Sequence, residues 1–185
     1  MNIKGKFVTL RAMEKEDCEM VRQMFNDPAI EDSVVGWSFP LSRYAQEKWY
    51  ESNYNGFDFR FVIETEEDGA VGIATLIGID WKNRRAEHGI KLAQQQNRAK
   101  GIGTDAVMAI MRYAFDELQL QRLDSAWFSD NVPSRKLYQK CGWMEEGIRR
   151  KYIYKKGQYR DLIVCGVLAE DYYSLIEKNH YWDKK

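Results

Sequence analysis

The sequence predicts an α/β (α+β) domain: a mixed sheet of about seven strands, antiparallel in its first half and parallel at one crossover. Three observations predict it. Apolar runs at 59–65, 70–81 and 86–93 are separated by the short turns "EEDG" and "KNRR", which makes an antiparallel meander. One strong amphipathic pattern, 101–118, lies between the apolar runs 86–93 and 122–128, so those two strands are expected to run parallel. A last pair of runs, 148–154 and 159–168, flanks "KKGQ" and reads as a hairpin.

The elements follow in order. "KFVTLRAM" (6–13) alternates like a strand. "EKEDCEMVRQMFND" (14–27) places Cys18, Val21, Met24 and Phe25 on one helical stripe and stops at "NDP", because the residue before a proline leaves helical geometry. Residues 30–42 read as an irregular loop, and Ser42 caps a helix over 43–54. The meander comes next. The helix 101–118 carries Ile102, Ala106, Val107, Ile110, Met111, Ala114 and Phe115 near a 3.6-residue period. "RLDSAWF" (122–128) is a strand. "PSRKLYQKCG" (133–142) is a short helix with Pro133 in its first turn and Gly142 as its stop. The hairpin and a closing helix, 169–178, complete the chain. No repeat or linker interrupts it, so residues 1–185 are expected to form a single domain.

The chain has 28 Lys+Arg and 28 Asp+Glu, and this balance argues against a general nucleic-acid binder. Cys18, Cys141 and Cys165 are odd in number and widely spaced, which reads as reduced thiols of a cytoplasmic protein and not as a metal site. The charged start is unlike a signal peptide, and no window approaches the roughly 20 apolar residues of a membrane span. The expectation is no metal, no nucleic acid and no membrane.

"RAKGIGTDA" (98–106) sits where the long helix must begin. Glycines there let backbone N–H groups approach a ligand with no Cβ in the way, and the first N–H groups of a helix favour an anion. Arg98 and Lys100 add charge nearby. The alternative reading is a tight turn and nothing more. No Lys-Ser/Thr follows, so it is no P-loop, and no GxGxxG is present.

The stretch resembles the GNAT acetyltransferases, whose motif Arg/Gln-x-x-Gly-x-Gly/Ala is filled by Arg98, Gly101 and Gly103. "NVPSRKLYQKCGW" (131–143) is similar to the family's Asn-x-x-Ser-x-x-x-Tyr-x-x-x-Gly-aromatic segment, with Asn131, Ser134, Tyr138 and Gly142 in place and Trp143 where phenylalanine is usual. "NDP", "RRAEHGIKL" (84–92) and "KKGQYRDLIV" (155–164) look like the branch that holds ribosomal-protein N-terminal acetyltransferases and spermidine acetyltransferases. The resemblance implies helices on both faces of the sheet and a cofactor groove at a splayed parallel strand pair. It implies acetyl-CoA as co-substrate, with its pyrophosphate on Arg98, Ala99, Lys100, Gly101, Ile102, Gly103 and Thr104. Its pantetheine would run along Ile90, Lys91 and Leu92. Asn131, Ser134 and Tyr138 would face the cofactor, and Lys136 and Lys140 either reach the adenosine phosphates or form a solvated face.

Acetyl transfer to an amine needs a neutral amine, donors for the developing oxyanion and a proton for the departing thiolate. Asn131, Ser134 and Tyr138 are spaced i, i+3, i+7 near one helix face. From the residues alone Tyr138 reads equally as a core-packing ring or a functional one; the resemblance makes it the acid. Glu87 is the candidate base, acting through water; its alternative role is a partner for Arg84 or Arg85. His88 should point to the opposite strand face, so one of the two is expected to line the cleft. Glu87, His88 and a water chain stay open as the base, and the oxyanion donor is expected to be a backbone N–H near Ile90.

The acceptor site is expected in the irregular segment 28–57, with Glu31, Asp32, Trp37, Trp49 and Tyr50 as substrate-binding candidates, since acids with aromatics suit a cationic amine. Glu47 and Glu51 share a helix face, which suits a polyamine or plain solvent. The partner is therefore a small-molecule amine, including a polyamine or amino sugar, or a peptide N-terminus. Many relatives are dimers, so a homodimer is one option. The leading reading is an acetyl-CoA-dependent N-acetyltransferase; the alternative is a non-catalytic acyl-CoA-binding regulatory module of the same fold.

Overall fold

The computed structural model describes residues 1–36, 39–52, 56–93 and 100–183. Its strands are β1 (Ile3–Lys4), β2 (Val8–Ala12), β3 (Phe59–Thr65), β4 (Gly69–Asp80), β5 (Arg85–Leu92), β6 (Arg122–Phe128), β7 (Met144–Lys155) and β8 (Gln158–Leu168). Its helices are α1 (Cys18–Asn26), α2 (Pro28–Ser33), α3 (Arg43–Glu51), α4 (Ile102–Arg112), α5 (Val132–Lys140) and α6 (Ala169–Asn179). The strands form one sheet in the order β1-β2-β3-β4-β5-β6-β8-β7. Every neighbouring pair is antiparallel except β5 and β6, which α4 connects as a parallel crossover.

Strand alternation sorts the core into two layers. Ile63 and Ala74 face the larger cluster, built on α4, Tyr138 and Cys141 after α5, and Tyr172 of α6. Their chain neighbours Val62 and Ile73 face a smaller cluster with Val21 and Met24 of α1 and Ile30 of α2. Helices therefore cover both sheet faces. Asp105, fully buried in the first turn of α4, ties the layers to the chain ends. Its carboxylate accepts from the backbone N–H groups of Lys6 (2.9 Å), Phe7 (2.9 Å) and Val8 (3.0 Å) and from the Tyr181 hydroxyl (3.0 Å). The three cysteines are free and buried. Among the described residues no helix is long and apolar enough to cross a membrane, and no group of three His, Cys, Asp or Glu side chains could hold a metal.

Several boundaries differ from the expectation. The sheet has eight strands, because Ile3–Lys4 adds a short pair to β2. The helix expected over 14–27 is a 3₁₀ turn, Lys15–Asp17, followed by α1. Residues 28–33, expected in part as loop, are helical. Asp27 ends α1 and also caps α2, its carboxylate accepting from Ala29 N–H at 2.7 Å with Pro28 in the first turn. The long helix becomes a π-helical turn at Tyr113–Glu117. The last hairpin starts at Met144, four residues earlier than expected; β7 is a sheet edge, exposed along most of its length, so no apolar alternation marks its start.

Candidate active site

The parallel pair β5–β6 is short. Its register covers Arg85–Arg122, Ala86–Leu123 and Glu87–Asp124 only. Beyond it, β5 stays paired with β4 as far as Leu92, and β6 stays paired with β8 as far as Phe128. The two strands part, and the β5–β6 ladder does not extend to residues 88–92. Two clefts open at the split, one of about 390 Å³ and one of about 660 Å³. Both are lined by Ser33, Val34, Ile90, Lys91 and Ser134, so they meet there.

The smaller cleft runs to the start of α4. Gly101 holds φ +85° at the helix N-cap, a left-handed conformation that favours glycine, and offers no side-chain cap. A Cβ on Gly103 would lie 3.4 Å from a Leu137 methyl, so its absence lets α4 and α5 approach closely. Gly101, Gly103, Thr104, Lys136 and Lys140 line this cleft. Ile102 is buried in the core, and Lys100 is an exposed residue with its ammonium 3.2 Å from Asp68. Arg98 and Ala99 lie outside the described residues. Asn131 caps α5 by accepting from Ser134 N–H (3.1 Å) and donates through Nδ2 to the Ser33 carbonyl (3.2 Å), which ties α5 to α2.

Tyr138 comes from α5 and is 3% exposed, at the wall of the larger cleft. Its ring stacks on Trp127 (centroids 5.3 Å) and meets Trp143 edge-on (4.9 Å) and His88 (5.9 Å). The Ser125 hydroxyl donates to the phenol oxygen at 3.2 Å, which leaves the phenol hydrogen free. Burial pushes the phenol well above its ordinary range, so it keeps its proton at neutral pH.

Glu87 is exposed on β5, and among the described residues no cation lies within 4.0 Å of its carboxylate. Arg85 pairs instead with Asp80 (3.6 Å) and Asp124 (4.0 Å). His88, one residue on, is buried. Its Nδ1 lies 3.0 Å from the Thr75 carbonyl, so Nδ1 carries the hydrogen and Nε2 bears the lone pair. Nε2 is buried with no hydrogen-bond partner among the described residues. Burial lowers the imidazole from 6.5 to about 4, so it is neutral at pH 7. The alternation is as expected, but both Glu87 and His88 line the larger cleft, because the cleft passes through the split and meets both sides of β5. On the Glu87 side, burial lowers Lys91 to about 8, partly offset by Glu87.

The acceptor candidates of segment 28–57 stand elsewhere. The Glu31 carboxylate pairs with the buried Lys155 ammonium at 2.7 Å, which also donates to the carbonyls of Glu31 and Val34. The Asp32 carboxylate pairs with Lys156 at 3.0 Å, and Arg160 donates to the Asp32 carbonyl at 2.7 Å. These bonds strap the segment to the β7–β8 hairpin, and Ser33, Val34 and Val35, not the two acids, line the larger cleft. Trp49 packs edge-on against Phe25 (5.8 Å), and both Trp49 and Tyr50 pack on the smaller core cluster. Trp37 lies outside the described residues. The larger cleft is lined instead by Asp58, Arg60, Asp124, Glu146, Arg149 and Tyr152, which sequence reasoning missed. They come from three strands, β3, β6 and β7, and the loop before β3, and only sheet order brings them together.

A family model for the acetyltransferase (GNAT) domain matches residues 8–144. The chain is 32% identical over 177 residues to the SPbeta prophage-derived uncharacterized N-acetyltransferase YokL of Bacillus subtilis, covering 95% of this chain and 96% of YokL. It is 25% identical over 165 residues to the spermidine N(1)-acetyltransferase of Vibrio cholerae, covering 89% and 95%. The crystal structure of spermidine N-acetyltransferase from Vibrio cholerae in complex with CoA and spermine superposes with TM-score 0.83 at 26% identity, over 90% of this chain and 98% of that one. With the split strand pair and the glycine-led helix start, these matches place the chain in the GNAT family of N-acetyltransferases.

Proposed function

We propose that this chain moves the acetyl group of acetyl-CoA to a primary amine by direct attack on the thioester. The observation that carries the reading is the meeting of two clefts at Ile90, Lys91 and Ser134, with Glu87 and Tyr138 at the wall of the larger one. A donor entering from one side and an acceptor from the other would meet there without a covalent enzyme intermediate.

The donor side fits acetyl-CoA. The uncapped start of α4, bare of Cβ at Gly101 and Gly103, suits a pyrophosphate, and Lys136 and Lys140 suit the adenosine phosphates. The β5 backbone at residues 88–92, beyond the β5–β6 ladder, suits the amides of pantetheine, and a backbone N–H near Ile90 would meet the developing oxyanion. Acetyl-CoA supplies the activated acetyl group. Glu87 takes the proton that the amine sheds, directly or through one water, so that the nitrogen lone pair is available. As the carbon–nitrogen bond forms and the carbon–sulfur bond breaks, Tyr138 gives its phenol proton to the departing sulfur, and the second proton that the nitrogen loses on becoming an amide returns through solvent to the Tyr138 oxygen; the buried phenol is held protonated for that step.

The test is acceptor-dependent thiol release from acetyl-CoA over a panel of amines, with pH–rate profiles for the wild type and Glu87→Gln. The proposal expects release with at least one amine and a pH–rate profile in Glu87→Gln that differs from that of the wild type. CoA binding with no thiol release on any amine would favour a non-catalytic binder, and identical profiles would remove Glu87 from the mechanism.

A further inference from the structure

The charge around the larger cleft is balanced. Asp58, Glu87, Asp124 and Glu146 face Arg60, Arg85, Lys91 and Arg149 along its wall. Much of this charge is already satisfied within the protein. Asp58 lies 3.5 Å from Arg60 and accepts from Gly78 N–H at 2.9 Å. Arg85 pairs with Asp80 and Asp124, and Glu146 accepts from Arg122 at 2.8 Å.

What remains has both signs. Glu87 has no cation within 4.0 Å among the described residues. On the cationic side, Nη1 of Arg60 is buried without a hydrogen-bond partner among the described residues. The guanidinium lies 5.1 Å from the Trp49 ring, and its charge at the cleft wall is left to attract a ligand anion. Arg149 has no carboxylate within 4.0 Å among the described residues and makes only a 3.3 Å bond to the Tyr152 hydroxyl, with its guanidinium 5.1 Å from that ring.

The backbone turns Arg149 and Tyr152 toward the cleft. The β7–β8 register slips between Arg149 and Ile153, a bulge in an edge strand. Lys151 inside it holds φ +49°, a strained conformation for a lysine, and its N–H is pinned by the Asp161 carboxylate at 2.7 Å. Bulges beside functional sites re-aim side chains, and this one aims a cation and a phenol. A polyamine brings only positive charge to this wall, where Arg60 and Arg149 would repel it. An amine that also carries an anion would place the amine by Glu87 and offer the guanidiniums the acceptors they lack.

We infer that the acceptor is a small primary amine bearing a carboxylate or phosphate, read by Arg60 and Arg149 across the cleft from Glu87. A cleft of about 660 Å³ is of the size that holds such a molecule. The inference rests on the acetyl-transfer reading above.

The test is a set of matched acceptors: L-alanine and L-glutamate against their amides, phosphoethanolamine against ethanolamine, and putrescine and spermidine as dications or higher. Thiol release gives kcat/KM for each, and calorimetry gives acetyl-CoA affinity separately. The expected result is a preference of about tenfold or more for an anionic member over its uncharged counterpart, since a charge-assisted hydrogen bond contributes on the order of 1.5–3 kcal/mol. Carboxylate and phosphate arms tell the two anions apart. Arg149→Gln, on an edge strand, should bring the preference toward one through KM, and Arg60→Gln should do the same if it folds. Higher kcat/KM for putrescine, spermidine or the amides overturns the inference and leaves acetyl transfer standing. An undiminished preference in Arg149→Gln and a folded Arg60→Gln removes the two arginines. Absence of acetyl-CoA binding fails the parent reading instead.

Discussion

Replacing Tyr138 by phenylalanine removes one oxygen from a ring held on three sides. The ring contacts to Trp127, Trp143 and His88 do not involve the hydroxyl and survive. The fold loses one hydrogen bond, the 3.2 Å contact from Ser125, worth about 1 kcal/mol. On the proposed mechanism, the chemical step loses its acid. General acid catalysis contributes about 10²- to 10⁴-fold, so the barrier should rise by roughly 3–5 kcal/mol. The two effects are separable: a urea melt reads the first, and steady-state thiol release at saturating amine reads the second. Acetyl-CoA affinity by calorimetry should hold, because the hydroxyl acts when the sulfur departs and not when the donor docks. A folded Tyr138→Phe protein with kcat within about twofold of wild type would refute the assignment, since the lost acid would then have contributed almost nothing.

Three further outcomes follow from the packing. His88 falls from 6.5 to about 4 on burial, so between those pH values the unfolded chain binds a proton that the folded chain refuses. Stability should therefore drop by on the order of 3 kcal/mol as pH falls through that window, and His88→Gln should flatten this part of the urea-melt pH series; an unchanged slope would show that another group titrates. Asp105→Ala strands three backbone N–H groups and the Tyr181 hydroxyl, so a loss of at least about 3 kcal/mol is expected in urea, with Tyr181→Phe costing about 1. Lys155→Met leaves Glu31 without its buried partner and the Glu31 and Val34 carbonyls without their donor, which should cost about 3 kcal/mol by the same measurement.

The elements of the proposed donor side are legible in the sequence because they are local. The glycines, the helix behind them and the Asn131–Tyr138 face each lie within one short stretch, where periodicity and turn chemistry speak directly. β3 and β6 have the bounds that their apolar runs mark, 59–65 and 122–128. The acceptor side is not local. Asp58, Asp124 and Arg149 are separated by dozens of residues and become neighbours only through the order β3-β4-β5-β6-β8-β7. Along each strand such a charge reads as a solvated position. Glu31 and Asp32 misled for the complementary reason: their signs suit an amine, but Lys155, Lys156 and Arg160, more than a hundred residues on, hold them first. Asp27-Pro28 shows that one signal can do two things, ending a helix and starting the next in the same two residues.

The three-residue register between β5 and β6 has a mechanical side. Among the described residues it is the only strand ladder joining a block of five strands, β1 to β5, to a block of three, β6, β8 and β7. A sheet sewn so briefly in its middle depends on α4 and the side chains of the larger core cluster to keep its halves at a fixed angle. On the proposed function, a donor lying along residues 88–92 adds stitches to that seam. Its occupancy should then stiffen the relation between the two blocks, and its loss should loosen it, so that rigidity would rise and fall with each proposed turnover.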